Sequence, residues 1–200
     1  MVVSKIKNWG AVLVMGGKGQ RMGGVDKGQL VLHDQSFQDI ALNFLAQRFD
    51  QIAISVGQEK RPDSAYPQLL DKQINGQSVG PIGGVLAGLD WANNLGLEGV
   101  VTIAVDTPIL PDDLGLRLCE SGGSAYASNQ GQGHWLHAAW PVSIYKTLQA
   151  VVFKDGIYSL YRLHERLGSR AVAFADQRLG CFQNVNTQED FEAVKAVYNL

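Results

Sequence analysis

"AVLVMGGKGQRMGGVDKG", residues 11–28, joins an apolar run directly to a glycine-rich, basic segment. Its first five residues are all apolar, which is typical of a short strand buried in a parallel sheet. A glycine-rich loop follows and contains three basic residues, Lys18, Arg21 and Lys27. Glycine lets backbone N–H groups converge on an anion, and basic side chains add positive charge. We therefore expect this loop to bind a nucleoside triphosphate; a surface loop that binds nothing is the alternative.

Apolar and amphipathic runs alternate along the rest of the chain. The predicted elements are strands at 11–15, 51–57, 99–105, 124–129 and 170–176, and helices at 36–49, 83–96, 112–120, 143–153, 157–167 and 187–198. Ser36 and Asp39 have the spacing of a capping box, and Thr187 is the predicted N-cap of the last helix. Such alternation predicts an α/β fold, with a mainly parallel sheet and helices on both faces. A length of 200 residues fits one domain, residues 1–200.

Composition and charge narrow the classes of partner. The formal net charge is −2, which argues against a nucleic-acid polymer or an anionic membrane as a partner. The N-terminus does not resemble a secretory signal, and no apolar run has the roughly 18 residues that a membrane span needs. The two cysteines, Cys119 and Cys181, have no metal-binding or redox spacing. We expect a protein of the reducing cytoplasm.

Three loops leave the carboxyl ends of the predicted strands, at 16–28, 55–63 and 106–111. Ligands of open α/β sheets bind beyond those ends. The loop at 16–28 is not a Walker A loop, because it lacks the GxxxxGK(S/T) spacing. It is not a GxGxxG fingerprint either, because position 22 is Met where that motif needs Gly. A nucleotide site of another kind is therefore predicted there.

Asp106 directly follows the third strand and precedes Thr-Pro, where a Mg²⁺ ligand is expected opposite a phosphate loop. A turn-forming or helix-capping Asp is the alternative. Asp71 is a weaker acidic candidate, and the small residues of 78–84 would let a flat base approach the backbone. His134 and His137 are three apart but lack a third metal ligand. Asn184 and Asn186 would share one face of a strand, or else lie in a turn before the last helix.

Four motifs together resemble the molybdenum cofactor guanylyltransferase family: "GGKGQRMGGVDKG", "GPIGG", "DTP" and "FQNVNTQEDF". The resemblance extends from about residue 11 to about residue 198. It implies a three-layer, Rossmann-like nucleotidyltransferase fold of the glycosyltransferase-A type. It also implies an enzyme that transfers GMP from GTP to the phosphate of molybdopterin, or of molybdenum-bound molybdopterin, and releases pyrophosphate. Molybdoenzyme chaperones or other cofactor-biosynthesis proteins are the implied protein partners.

The resemblance also implies roles for individual residues. The catalytic residues would be Arg21, Lys27 and Asp106, with Asp106 as the Mg²⁺ ligand. The residues that would contact GTP are Val14, Met15, Gly16, Gly17, Lys18, Lys27, Ser55, Asp71, Gly83 and Asp106. The residues on the molybdopterin side would be His134, Asn184 and Asn186.

The chain departs from the family pattern at four places. Met15 stands where the family usually has Ala, and Ser55 stands where Asn is common. The segment between Asp71 and "GPIGG" is long, and "GIYSLYR", with Tyr158 and Arg162, replaces a basic pair. Two alternative functions stay open: a related cytidylyltransferase or sugar-phosphate nucleotidyltransferase, and a non-catalytic GTP-binding adaptor.

Overall fold

A computed structural model describes residues 5–15, 26–60, 64–175 and 179–198. The strands are β1 (Ile6–Val14), β2 (Val31–Leu32), β3 (Gln35–Ser36), β4 (Phe49–Ser55), β5 (Gln68–Leu69), β6 (Gln73–Ile74), β7 (Gln77–Ser78), β8 (Gly99–Ala104), β9 (Ala125–Asn129), β10 (Gln132–Pro141) and β11 (Arg170–Phe174). The α-helices are α1 (Phe37–Ala46), α2 (Pro81–Asn94), α3 (Leu114–Cys119), α4 (Tyr145–Phe153), α5 (Leu160–Leu167) and α6 (Gln188–Val197).

One large sheet organises this part of the chain. Its seven strands lie in the order β11-β9-β10-β8-β1-β4-β5. Four neighbouring pairs are parallel, and β10 is antiparallel to both β8 and β9. The prediction of a mainly parallel α/β sheet is therefore confirmed.

Helices cover both faces of the sheet. Side chains of β1, and of Met15 directly after it, alternate between two hydrophobic clusters. Leu13 and Met15 join α1, α3 and α6 on one face, and Val12 and Val14 join α2, α4 and α5 on the other. A strand covered on both faces is expected to be wholly apolar, as residues 11–15 are. The predicted three-layer arrangement is confirmed. No helix within the described ranges combines the length and apolarity needed to cross a membrane.

The ends of the helices follow local sequence signals. Ser36 caps α1: its Oγ accepts a hydrogen bond from the backbone N–H of Asp39 at 3.1 Å and donates to that carboxylate at 2.6 Å. Thr187 caps α6 in a full capping box with Asp190. Caps of this kind stabilise a helix by about 1 kcal/mol. Both N-cap predictions are confirmed.

Most elements differ from their predicted bounds by a few residues, and two of these differences lie close to the site. β1 begins at Ile6, ahead of the predicted apolar run. The prediction missed its first four residues because they are exposed or half-buried and do not form an apolar pattern. α2 begins at Pro81, two residues before its predicted start, so Gly83 lies within its first turn. Between Asp71 and α2, β6 and β7 form a hairpin that the sequence analysis missed.

β10 contains a large bulge next to the ends of the parallel strands. His134 pairs with Ala127 on β9, whereas Ala138 pairs with the adjacent Tyr126, so residues 135–137 are inserted between the two pairs. Inserted residues in a bulge redirect side chains, and bulges are common beside active sites. This bulge lets His134 and His137 both contact the ring of Phe182, although an unbroken strand would point them to opposite faces.

Candidate active site

The carboxyl ends of β1, β4 and β8 lie side by side at one edge of the sheet. Val14 is in register with both Ser55 and Ala104. Beyond the strands, the backbone N–H of Met15 donates to the Ser55 carbonyl, and that of Val105 donates to the Val14 carbonyl, each at 3.1 Å. The candidate site is built on this edge. Four predicted site residues lie outside the described residues: Gly16, Gly17, Lys18 and Arg21.

Lys27 links two predicted halves of the site. Its Nζ donates to Oδ2 of Asp106 at 2.8 Å and to Oδ1 of Asn186 at 2.6 Å. The side chains of Lys27 and Asp106 are only 11% and 17% exposed. Lys27 thus contacts one residue that lies 79 positions away in the sequence and another that lies 159 positions away, in one partly buried group.

A short turn holds Lys27 in place. Lys27–Gln29 forms a single turn of 3-10 helix, in which Asp26 Oδ1 accepts the N–H of Gly28 at 3.0 Å. A Cβ on Gly28 would collide with the terminal methyl of Met15, so the turn packs directly on that side chain. The Met15 side chain is buried in the core against this turn. A contact between Met15 and a nucleotide would therefore run through the main chain.

A second group lies beside β4 and the start of α2. The Ser55 hydroxyl donates to Oδ1 of Asp71 at 2.6 Å. A Cβ on Gly83 would be 2.6 Å from the carbonyl oxygen of Lys72, and one on Gly84 would collide with the Ser55 hydroxyl. Burial raises the pKa of Asp71, and hydrogen bonds from Ser55 and the backbone of Gly57 offset part of that rise. A half-buried carboxylate against a glycine surface can accept hydrogen bonds from a flat, N–H-bearing ring.

A third group extends from Asp106 towards β10. Thr107 Oγ1 donates to Oδ1 of Asn184 at 2.6 Å, and Nε2 of His137 lies 3.2 Å from the same hydroxyl. His134 stacks on Phe182 with 4.3 Å between ring centroids, and burial lowers its pKa. Thr107 and His137 were not predicted as functional residues.

Asn184 and Asn186 are in an irregular segment before α6, so of the two placements predicted for them the turn is correct and the strand is wrong. Backbone bonds hold the segment on the loop after β8: Val185 N–H donates to the Asp106 carbonyl at 2.8 Å, and Phe182 N–H to the Ile109 carbonyl at 3.0 Å. Tyr158 and Arg162, the residues that depart from the family pattern, are exposed at the start of α5.

The side chains at the site that could ligate a metal fit a divalent cation that is held partly by the substrate. Among the described residues, no three His, Cys, Asp or Glu side chains converge on one point. Asp106 therefore offers a single carboxylate, and His134 and His137 do not complete a metal cluster. Mg²⁺ is usually bound by one or two carboxylates, substrate phosphates and water. Asp106 fits that pattern, provided that Lys27 gives up its bond to Oδ2.

Sequence comparisons agree with this chemistry. The family model for the MobA-like NTP transferase domain matches residues 11–170. A molybdenum cofactor guanylyltransferase from Acidiphilium cryptum (strain JF-5) is 38% identical over 188 residues, which cover 93% of each chain.

Comparisons with solved structures agree on the fold. Molybdopterin-guanine dinucleotide biosynthesis protein A from Archaeoglobus fulgidus superposes with a TM-score of 0.72 at 20% identity, covering 94% of this chain and 97% of that one. A protein from Mycobacterium tuberculosis H37Rv, solved as a complex with manganese, superposes with a TM-score of 0.64 at 16% identity over 94% and 97% of the two chains. At these identities the likeness concerns the fold.

Proposed function

Because the chain belongs to the molybdenum cofactor guanylyltransferase family, we propose that it transfers GMP from GTP to the phosphate of molybdopterin. The chain is a nucleotidyltransferase of molybdenum cofactor biosynthesis. An oxygen of the acceptor phosphate bonds to the α-phosphorus of GTP, the bond from that phosphorus to the β-phosphate oxygen breaks, and pyrophosphate leaves. The observation that carries the proposal is the contact of Lys27 with both Asp106 and Asn186, which joins the donor side to the acceptor side.

We assign the guanine base to the group beside β4. Guanine carries a ring N–H and an exocyclic amine side by side, and a carboxylate such as Asp71 accepts hydrogen bonds from both. Cytosine lacks that pair of donors, so Asp71 would favour GTP over CTP. Because Gly83 and Gly84 have no side chains, the start of α2 packs directly against Lys72, Asp71 and Ser55, and Ser55 orients Asp71. The assignment follows from the hydrogen-bond chemistry of Asp71 and from this close packing.

We assign the triphosphate to the space across the end of β1. Val14 ends that strand and Met15 follows it, and the next segment of the sequence contains Gly16, Gly17, Lys18 and Arg21. Glycine N–H groups and basic side chains suit a triphosphate. The strand order supports this assignment, since β1 lies between β4, beside the base group, and β8, which leads to Asp106.

Electrostatics accounts for most of the expected rate increase. The acceptor phosphate is already an anion near neutral pH, so no general base is needed to generate the nucleophile. The barrier arises from repulsion between anions and from charge that develops on the leaving pyrophosphate. A divalent cation, which we propose to be Mg²⁺ on Asp106, neutralises charge at the α-phosphate when bound. Lys27 then transfers its hydrogen bonds from Asp106 to the phosphates.

We assign the acceptor to the opposite side of Asp106, where His134, Asn184 and Asn186 lie. Amide and imidazole N–H groups are neutral donors that can hydrogen-bond to the oxygens of a phosphate. Either molybdopterin or its molybdenum-bound form would satisfy this chemistry. We expect the reaction in the cytoplasm, where GTP is available, and we expect molybdoenzyme chaperones or other cofactor-biosynthesis proteins to receive the product.

We also propose that residues 1–200 form a single nucleotidyltransferase domain. Both hydrophobic clusters pack on the same seven-stranded sheet, which supports this assignment. A cytidylyltransferase or sugar-phosphate nucleotidyltransferase is not better supported, and neither is a non-catalytic GTP-binding adaptor, since Lys27 and Asp106 are both intact.

Calorimetric titration with GTP and with CTP, each with Mg²⁺, tests the donor assignment. We expect clear preference for GTP; preference for CTP would move the protein to a cytidylyltransferase. For the metal role, Asp106→Ala should abolish pyrophosphate release while the fold survives. Asp50→Ala is the matched control, because Asp50 also pairs with a lysine at 2.8 Å but is 65% exposed. Turnover of Asp106→Ala within about tenfold of the wild type would contradict the metal role.

A further inference from the structure

His137 is a buried imidazole for which the transfer of GMP provides no role. The residue is 3% exposed, and its Nδ1 has no hydrogen-bond partner among the described residues. Its Nε2 lies 3.2 Å from Oγ1 of Thr107. Burial lowers the pKa of His137 to about 3, so the ring is neutral near physiological pH. A neutral imidazole carries one proton, and its position decides what Thr107 can do.

Proton counting along the contact gives that position. Thr107 Oγ1 and Asn184 Oδ1 are both oxygens, 2.6 Å apart, and only the hydroxyl can supply the hydrogen between them. The hydroxyl proton is thereby used, so Nε2 of His137 must donate to Oγ1. Nδ1 is then a bare acceptor. An unpaired buried acceptor is tolerated better than an unpaired buried N–H, so the same tautomer is favoured on both counts.

Asn184 is oriented by the end of this chain. Its Oδ1 accepts from Thr107, which leaves its NH₂ group to point elsewhere, and the residue is exposed. With the opposite tautomer of His137, the hydroxyl would donate to His137 and the amide would have to turn its NH₂ towards Thr107. An oxygen would then face the bound substrates and would repel a phosphate.

We propose that His137 is a positioning residue that acts through Thr107 to hold the NH₂ group of Asn184 towards the phosphate of the acceptor. This inference rests on the proposed function, because it takes the acceptor to be the anion that Asn184 binds. His137 itself contacts no substrate. Asn186 receives its orientation independently, since its Oδ1 accepts from Lys27.

The bulge in β10 makes this arrangement possible. Residues 135–137 lie outside the regular ladder, and two side chains bind the carbonyls that the bulge frees. Thr102 Oγ1 donates to the Leu136 carbonyl at 2.6 Å, and Nε2 of His164 lies 2.8 Å from the Trp135 carbonyl. The bulge is therefore held on both sides of the backbone, and it directs His137 towards Thr107. A regular strand would not place an imidazole there.

Steady-state kinetics of three variants test the inference. His137→Phe keeps a ring but removes the donor, His137→Gln keeps an N–H of similar reach, and Thr107→Val removes the hydroxyl. We expect His137→Phe and Thr107→Val each to raise the KM for molybdopterin by about tenfold or more, the usual effect of a lost hydrogen bond to a charged group. The KM for GTP should stay within about twofold, and His137→Gln should recover most of the loss.

The double variant and a spectroscopic measurement separate positioning from general damage. His137→Phe combined with Thr107→Val should be no worse than either change alone, because both break the same chain. Additive losses, or equal rises in the KM for both substrates, would overturn the inference. In histidine-labelled wild-type protein, ¹⁵N NMR should find His137 protonated on Nε2, and protonation on Nδ1 would also overturn it. A wild type that forms no dinucleotide product would instead contradict the proposed function, and the NMR result would still test the tautomer.

Discussion

Replacing Lys27 by Met should destabilise the protein in a way that a divalent cation reverses. Lys27 is the cation that Asp106 contacts in the described part of the chain, at 2.8 Å, and both side chains are more than four-fifths buried. Methionine keeps the length of the side chain and removes its charge. Asp106 is then left as a partly buried carboxylate without a counter-charge, which the fold must either tolerate or neutralise.

The size of the effect follows from burial. Breaking a fully buried ion pair by removing one partner costs about 3–5 kcal/mol. Water reaches part of both side chains here, so we expect a loss of about 2–3 kcal/mol in the free energy of unfolding. For a chain of this size that corresponds to a fall of roughly 4–12 °C in Tm. A cation that binds only the folded variant at about ten times its Kd would restore about 1.4 kcal/mol.

Lys5→Met is the matched control. Lys5 pairs with Asp50 at the same 2.8 Å, but the two side chains are 44% and 65% exposed. An exposed pair contributes less than about 1 kcal/mol. Urea unfolding of both variants and the wild type, with and without Mg²⁺ and without nucleotide, gives the comparison. We expect Mg²⁺ to stabilise Lys27→Met more than the wild type, because Lys27 and the cation compete for Asp106.

Two results would contradict this role of the ion pair. Equal stability losses in Lys27→Met and Lys5→Met would mean that burial of the Asp106 pair has no energetic consequence. Equal stabilisation of all three proteins by Mg²⁺ would mean that the cation does not bind at Asp106.

Three further perturbations test other parts of the account. Asp71→Asn should weaken GTP binding by about 10- to 100-fold and leave CTP binding unchanged. In the wild type, the affinity for GTP should rise as pH increases through the raised pKa of Asp71. Calorimetry at several pH values checks both expectations. Gly84→Ala should lower the free energy of unfolding by about 1–3 kcal/mol and weaken GTP binding, because the new Cβ would meet the Ser55 hydroxyl. Gly123→Ala, which has open space around the new Cβ, should leave stability unchanged. An equal loss of stability in both variants would contradict the packing argument. Burial lowers the pKa of His164 from 6.5 to about 4. Between these two pH values the unfolded chain binds a proton at this residue and the folded protein does not. Stability that is present above pH 6.5 is therefore lost as pH falls towards 4. His164→Gln should therefore reduce the loss between pH 7 and pH 5 by about 2 kcal/mol in chemical unfolding, and an unchanged pH dependence would show that another group titrates.

Local signals predict most of the fold, and they do so where the determining interaction is local. The apolar run at 11–15 predicts the buried half of β1 because that half is covered on both faces. Ser36 and Thr187 predict helix starts because a cap is completed within three residues. The hairpin of β6 and β7 also had a signal, Asn75-Gly76, since both residues adopt the positive φ that a tight turn requires.

Long-range contacts account for what the sequence analysis missed in the site. Asp106 and Asp71 were found because each follows an apolar run, and a strand end is visible in the sequence. His137 was considered only as a metal ligand, and the role now proposed for it was not predicted. That role depends on the bulge between β10 and β9 and on Thr107, 30 residues away. Thr107 itself reads as an ordinary turn residue before a proline. No periodicity in the sequence reports a hydrogen bond between two distant loops.

The ion pair between Lys27 and Asp106 is another long-range contact that the sequence did not predict. The family resemblance implied a phosphate ligand for Lys27 and a cation for Asp106, but not the contact between the two side chains. In the proposed function Lys27 binds a phosphate and Asp106 binds a cation, and in the structure the two side chains neutralise one another. Such exchange keeps a partly buried charged site stable before the substrates arrive.

The fate of the α- and γ-phosphorus of GTP tests the proposed transfer of GMP most directly. Purified protein is mixed with Mg²⁺, molybdopterin and GTP labelled at the α- or the γ-phosphorus, and the products are separated. We predict that the α-label appears in a guanine dinucleotide of molybdopterin and that the γ-label appears in pyrophosphate, in equal amounts. Release of the γ-label as inorganic phosphate, or failure of the α-label to reach molybdopterin, would contradict the account.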